Sequence, residues 1–309
     1  MRAAVTGGLG SMGTYLVRRL AREGHQVEVY DNMAKLGTEQ NVELLAPLPG
    51  VEIMRGEAGG VDCLDVSDYG DVNVIFHLAG DCSAPRSLEH PVRSFRLNAM
   101  MTCCVLEAAR QRHTPVVYAS SVRAYPNEHG QYTVYGLGKW VGDLLCTEYA
   151  RTFGVPTISN RFGAIYGVYQ HGTSESGWLS WFVRAMVRQM PFELHGGGRQ
   201  QRDCLHNEDA SALLVMQAEY LIETCNCDGT VYDVGGGQSN FVSLVEVLEY
   251  LRDKHGCSLE HVVETAARHA DVKGRPSDNL DVRRDFGWSP TTTIWDGIDE
   301  MVRAERREH

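Results

Sequence analysis

No apolar run in this 309-residue chain approaches the roughly 18 consecutive apolar residues that a membrane-crossing helix needs. A basic surplus is missing too: the formal net charge is −11, the wrong sign for a surface that neutralises nucleic-acid phosphates, though it leaves room for a local basic pocket around one diphosphate. The nine cysteines lack metal-site spacing, since neither Cys103-Cys104 nor Cys225-Asn226-Cys227 has a second ligand pair. They are read as reduced thiols, and no metal is expected. Met1-Arg2-Ala3-Ala4-Val5 runs straight into a β-like segment and a glycine loop, leaving no room for a signal peptide, so a cytosolic protein is expected. Linkers, repeats and low-complexity tracts are absent as well.

What is present is an ordinary globular composition, 43% apolar and 22% charged, in a chain long for one domain and short for two. β-like runs at Ala3-Val5, Gln26-Tyr30, Val51-Met54, Val72-His77, Val116-Ala119 and Thr157-Asn160 alternate with loops or helical stretches, as in βαβ units. Such units need crossover helices on both faces, which predicts an α/β fold with a doubly wound parallel sheet. The rhythm breaks between about Tyr166 and Arg202, then resumes with a strand at Thr230-Val234 and a helix from about Ser243 to Lys254. The expected organisation is a Rossmann-type nucleotide-binding domain over residues 1–165, with returning segments near 203–235. Residues 166–202 and 236–309 are then mainly a smaller substrate-binding lobe.

After the first run come Thr6, Gly7, Gly8, Leu9, Gly10, Ser11, Met12 and Gly13, which open a helical stretch, Thr14-Arg22. Gly7 and Gly10 allow a tight turn whose amides approach a pyrophosphate, Gly13 allows close helix–strand packing, and the helix N-terminus adds partial positive charge. Asp31 ends the second strand, where a carboxylate accepts both adenosine ribose hydroxyls and repels a 2′-phosphate; beside it Asn32-Met33-Ala34 offers no arginine. NAD is therefore the expected cofactor. Leu78, Ala79 and Gly80 close the fourth strand with small backbone-exposing residues, and Asp62 and Asp65 are candidates for the adenine side.

Tyr135 and Lys139 stand four residues apart on one helical face expected to run to about Arg151. Lowering a phenol from pKa ~10 to ~7 needs about 4 kcal/mol of preferential stabilisation of the anion, which an ammonium beside a positively charged nicotinamide would supply. Upstream, Val116-Val117-Tyr118-Ala119-Ser120-Ser121 aims hydroxyls at the same strand-end crevice, with Ser121 on the reacting hydroxyl and Ser120 nearer the cofactor.

These landmarks resemble the extended short-chain dehydrogenase/reductases, specifically their NAD-dependent epimerase/dehydratase branch, from residue 3 to about 300. The resemblance implies a Ser121–Tyr135–Lys139 triad, a structural and active-site role for Asn98, and Phe162 on the cofactor side. It also implies substrate contacts at Ser83 and Arg86, diphosphate-holding arginines at Arg202 and Arg275, and a ribose contact at Asp278. The Gly177-Trp178-Leu179-Ser180-Trp181-Phe182 run is similar to a segment of tyvelose-type 2-epimerases; Trp178 and Trp181 would line the pocket or pack the lobe, and Leu179 is placed with Trp178 on the substrate side. The serine strand looks more like that of 4-epimerases. Relatives dimerise through helices that Asn98-Arg112 and Tyr135-Arg151 resemble, so a homodimer is implied.

Three departures stand out: Ala164 replaces an asparagine that many relatives hold near the substrate phosphates, the stretches Ser121–Tyr135 and Asp278–Trp288 are short, and Arg123 is unusual. Arg123 would touch a charged or bulky substrate or pair at the surface. Val122-Arg123-Ala124 also lacks the acid that dehydratases and decarboxylases of this branch place after the active-site Ser or Thr. The expectation is an NAD-dependent epimerase of a nucleotide-diphosphate sugar, inverting position 4 through a transient ketone with Tyr135 as base. Inversion at position 2, dehydration, net redox chemistry on the same fold, or a catalytically silent NAD-binding regulator are the alternatives.

Overall fold

The computed structural model describes residues 1–56, 69–127, 129–266 and 274–307. Asp62 and Asp65 lie outside the described residues.

Seven strands form one parallel sheet: β1 (Arg2–Thr6), β2 (Gln26–Asp31), β3 (Val51–Arg55), β4 (Val74–His77), β5 (Val116–Ser121), β6 (Thr157–Phe162) and, past three short strands, β10 (Thr230–Val234). Their order is β10-β6-β5-β4-β1-β2-β3, a Rossmann-type doubly wound arrangement whose direction of winding reverses between β1 and β4. The central strands are covered on both faces; Ala3, Ala4, Val5, Val116, Val117 and Tyr118 are all fully buried. Helices α1 (Ser11–Arg22), α2 (Thr38–Leu45), α3 (Ala84–Glu89), α4 (Pro91–Phe95), α5 (Met101–Arg112) and α6 (Val134–Phe153) are interleaved with the strands. Val117, Val5 and Leu16 join one apolar cluster, while Tyr118, Leu106 and Cys146 join another.

β7 (Ala164–Tyr166) and β9 (Gln201–His206) build a three-stranded sheet with β11 (Phe241–Ser243), and β8 (Phe192–His195) pairs with β12 (Val262–Thr265). Together with α7 (Trp178–Val187), α9 (Leu244–His255) and α11 (Ile294–Arg307) they enclose a third cluster around Tyr166, Val183 and Ile298. α8 (Asn207–Thr224) returns to the large sheet, where Glu208 meets Arg19 of α1 at 2.7 Å, and α10 (Leu280–Phe286) follows the segment carrying Arg275. Among the described residues no helix is long and apolar enough to cross a membrane.

Two features set the geometry of the crevice. His77 at the end of β4 bonds Thr6 at 2.8 Å and Thr102 of α5 at 3.1 Å, locking β1, β4 and α5 together. Burial pushes its imidazole down to about 3, so it is neutral and structural. Between α4 and α5 the helix passes through a π turn, Arg96–Met100, which contains Asn98.

Candidate active site

The glycine loop is a cradle shaped by missing side chains. Gly7 has φ +71°, and a Cβ there would lie 2.7 Å from the Ala79 nitrogen. A Cβ at Gly13 would run into the Gly7 carbonyl, and one at Gly8 would meet Val29. Asp31 is buried, and its two oxygens accept from the Leu9 amide at 3.0 Å and the Met33 amide at 2.8 Å, which fixes the loop against the end of β2. Asn32 is exposed and accepts from the Ala34 amide, Ser11 accepts from Asn207, and Met12 and Phe162 are buried in the main core. Leu78, Ala79 and Gly80 follow β4 on the other side of β1, with the Leu78 amide bonded to the Thr6 carbonyl.

The catalytic candidates converge at the ends of β5 and α6. Thr133 caps α6 by accepting from the Gly136 amide at 3.1 Å, and Gly136 packs so closely on the Arg123 carbonyl that no side chain fits. That contact seats the first turn of α6 against the turn after Ser121. Tyr135, Lys139 and Asp143 follow at successive four-residue steps, all buried. Lys139 donates to the Ala119 carbonyl at 2.8 Å and lies 4.9 Å from the centre of the Tyr118 ring. Asn98 donates to the Asp81 and Ser94 carbonyls, while its buried Oδ1 has no hydrogen-bond partner among the described residues and lies close to where a Cβ on Gly80 would stand. An unsatisfied acceptor beside a buried ammonium and an open glycine suits a site that receives a ligand or an ordered water.

Burial pushes the Tyr135 phenol up to about 12, opposed by a Ser121 hydrogen bond and by the charges of Arg123 and Lys35. Lys139 moves the other way, down to about 8, because burial disfavours its charge; Asp143 opposes that fall. The phenol is therefore neutral at pH 7 until further positive charge arrives, and the lysine is close to its own titration. Ser121 also accepts from the Arg123 amide at 3.2 Å, which fixes its hydroxyl at the strand end; Ser120 beside it is buried.

The candidate substrate residues fall into two groups. Ser83 caps α3 and reaches the Glu175 carbonyl at 3.4 Å, and Arg86 pairs with the Glu175 carboxylate at 2.8 Å. This ties the segment after β4 to the approach to α7. There Trp178 is half-buried against Phe182, and Leu179 sits inside the lobe's core. In the second group, Gly274 packs on the Gln201 carbonyl, which sets Arg275 and Arg202 on neighbouring backbone. The buried carboxylate of Asp203 secures this by accepting from the Gly237 and Ser277 amides. Arg202 bonds the Gln201 carbonyl, and Asp278 is exposed and accepts from the Leu280 amide.

Several residues here escaped the reading of motifs. Arg161 pairs with buried Asp143 at 2.7 Å and stacks on Tyr125, whose ring also carries Arg275; both guanidinium carbons lie 4.5 Å from the ring centre. The Tyr125 hydroxyl donates to Asp233, which lies 3.5 Å from Arg275. Lys35 reaches Cys82 at 3.2 Å. Nothing local in the sequence marks these pairs; only the four-residue step from Lys139 to Asp143 was available as a signal.

Known proteins resemble this chain over nearly its whole length. A CDP-paratose 2-epimerase of Salmonella typhi is 27% identical over 97% of this chain and 98% of its own. A putative UDP-glucose 4-epimerase of Methanocaldococcus jannaschii is 26% identical over 96% of each chain. A solved dTDP-glucose 4,6-dehydratase of Streptomyces venezuelae, with NAD bound, superposes with a TM-score of 0.87 at 24% identity, covering 99% of this chain and 97% of its own. The NAD dependent epimerase/dehydratase family matches residues 3–235, and the chain belongs to that family, an NAD-dependent branch of the extended short-chain dehydrogenase/reductases.

Proposed function

We propose that this protein is an epimerase of a nucleotide-activated sugar, inverting a ring carbon, position 4 in the first instance, through a transient ketone. The observation that carries the proposal is the buried Ser121, Tyr135 and Lys139 set followed by the turn Val122–Ala124, which supplies a guanidinium and no acid. NAD supplies, when bound, a reversible hydride acceptor for the sugar carbon. Gly7, Gly8, Leu9, Gly10, Ser11, Met12 and Gly13 would cradle its pyrophosphate, Asp31 its adenosine ribose, and Leu78, Ala79, Gly80, Asn98, Ser120 and Phe162 its nicotinamide half. Tyr135 takes the proton of the sugar hydroxyl, Ser121 donates to the oxygen as it becomes a carbonyl, and Lys139 favours the phenolate. Dehydration needs an additional acid, which residues 122–124 do not provide.

Ser83, Arg86, Arg123, Trp178, Leu179, Arg202, Arg275 and Asp278 are the proposed substrate side. Arg202 and Arg275 are suited to the diphosphate, because a guanidinium grips phosphate oxygens in pairs. Inversion at position 2 is the second reading; the Trp178–Phe182 segment and the overall likeness to CDP-paratose 2-epimerase favour it. Incubation with UDP-, CDP- and dTDP-hexoses separates these possibilities. An inverted sugar with no net NADH supports epimerisation, and the carbon inverted decides between positions 4 and 2; stoichiometric NADH or a dehydrated product refutes both.

The same reading includes a homodimer. Val92, Met100 and Leu144, on and beside α4, α5 and α6, are 72%, 52% and 49% exposed, an apolar set that a second copy would cover. A cytosolic setting completes the reading and accords with the free thiols of Cys82 and Cys225.

A further inference from the structure

The Lys35–Cys82 contact spans the cofactor cleft. Lys35 lies in the loop after β2 and Cys82 in the loop after β4, and β1 runs between those strands. A bond from one loop to the other therefore passes across the mouth of the crevice, above the glycine loop that leaves β1. The side chain of Lys35 is otherwise exposed. Cys82 foremost, with Asp31 and Tyr135 also contributing, raises its pKa, so the ammonium is charged at any physiological pH and stands between the ribose end and the catalytic end of the site.

The glycine loop meets a dianion with backbone amides alone, chiefly those that open α1, because three amides ahead of the helix are already bonded. The Leu9 amide is taken by Asp31, the Gly10 amide by the Gly7 carbonyl, and the Gly7 amide by the Tyr30 carbonyl. Residues 7–13 carry no charged side chain. A thiol sulfur is a weak partner for an ammonium, whereas phosphate oxygens are strong ones.

We propose that Lys35 is a cofactor-binding residue that exchanges the Cys82 sulfur for the pyrophosphate of NAD and straps the dinucleotide over the glycine loop. The inference rests on the reading that this loop holds NAD. It adds a charge to that site which the motif does not contain.

The test uses the full-length protein freed of cofactor and titrated calorimetrically with NAD, ADP-ribose and adenosine. Lys35→Met should weaken NAD and ADP-ribose by about 10-fold or more, as expected for a charge-assisted bond, and leave adenosine unchanged. Lys35→Arg should restore most of the loss. Iodoacetamide labelling of Cys82, followed by mass spectrometry, should slow when NAD is present, with exposed Cys225 as the unaffected control. If the unmodified protein binds NAD and Lys35→Met binds it equally well, or loses adenosine to the same degree, the strap is refuted and the loop reading stands. If the unmodified protein fails to bind NAD, both fall.

Discussion

Tyr135 and Lys139 have opposite electrostatic problems with one cause. Both are buried in the first two turns of α6, so the phenol resists losing its proton and the lysine resists keeping its own. Cofactor charge and the Lys139 ammonium must together lower the phenol, whereas Asp143 sustains the ammonium. Tyr135→Phe should bind NAD as the unmodified protein does and lose at least ~10²-fold in turnover, measured by titration and by product formation. Because Lys139 is held near 8 by burial, it is protonated below that pH and neutral above it. kcat/KM should therefore fall as pH rises through about 8. Asp143→Asn removes the carboxylate that opposes this fall, and the alkaline limb of the profile should move to lower pH. An unmoved limb would show that Asp143 serves only to hold Arg161.

At the level of elements, the site depends on close backbone approaches where α1 and α6 begin. A methyl group on Gly13 would strike the Gly7 carbonyl and force helix and loop apart. Gly13→Ala should cost about 1–3 kcal/mol, the usual range for overpacking, and weaken NAD binding; denaturant unfolding and titration would register the two effects. Such positions could be read from the sequence because a glycine loop between a strand and a helix has few other uses. The seven strands of the large sheet were legible as short β-rich runs at βαβ spacing, most plainly β4 and β5, which are buried throughout. The small sheets were not: β7 and β11 have three residues each, too few for any periodicity to register. Nor was the π turn at Asn98, which no breaker residue announces. Arg161–Asp143 and Lys35–Cys82 stayed hidden because they join residues 18 and 47 apart that only the strand order brings together.

For the whole molecule, the proposed dimer rests on the exposed apolar residues beside α5 and on α6. Sedimentation should show a dimer, and Leu144→Glu, an exposed substitution that leaves the monomer's core intact, should shift it toward monomer; a monomeric unmodified protein would contradict the proposal. The central claim, however, concerns hydride transfer with return to the same carbon. It is tested most directly by converting a sugar-nucleotide substrate in D2O and examining the inverted carbon of the product by proton NMR. Transient oxidation predicts protium at that carbon, because the hydrogen travels to the cofactor and back without meeting solvent. Deuterium at the inverted carbon would mean that the carbon itself is deprotonated and reprotonated, and would contradict the account.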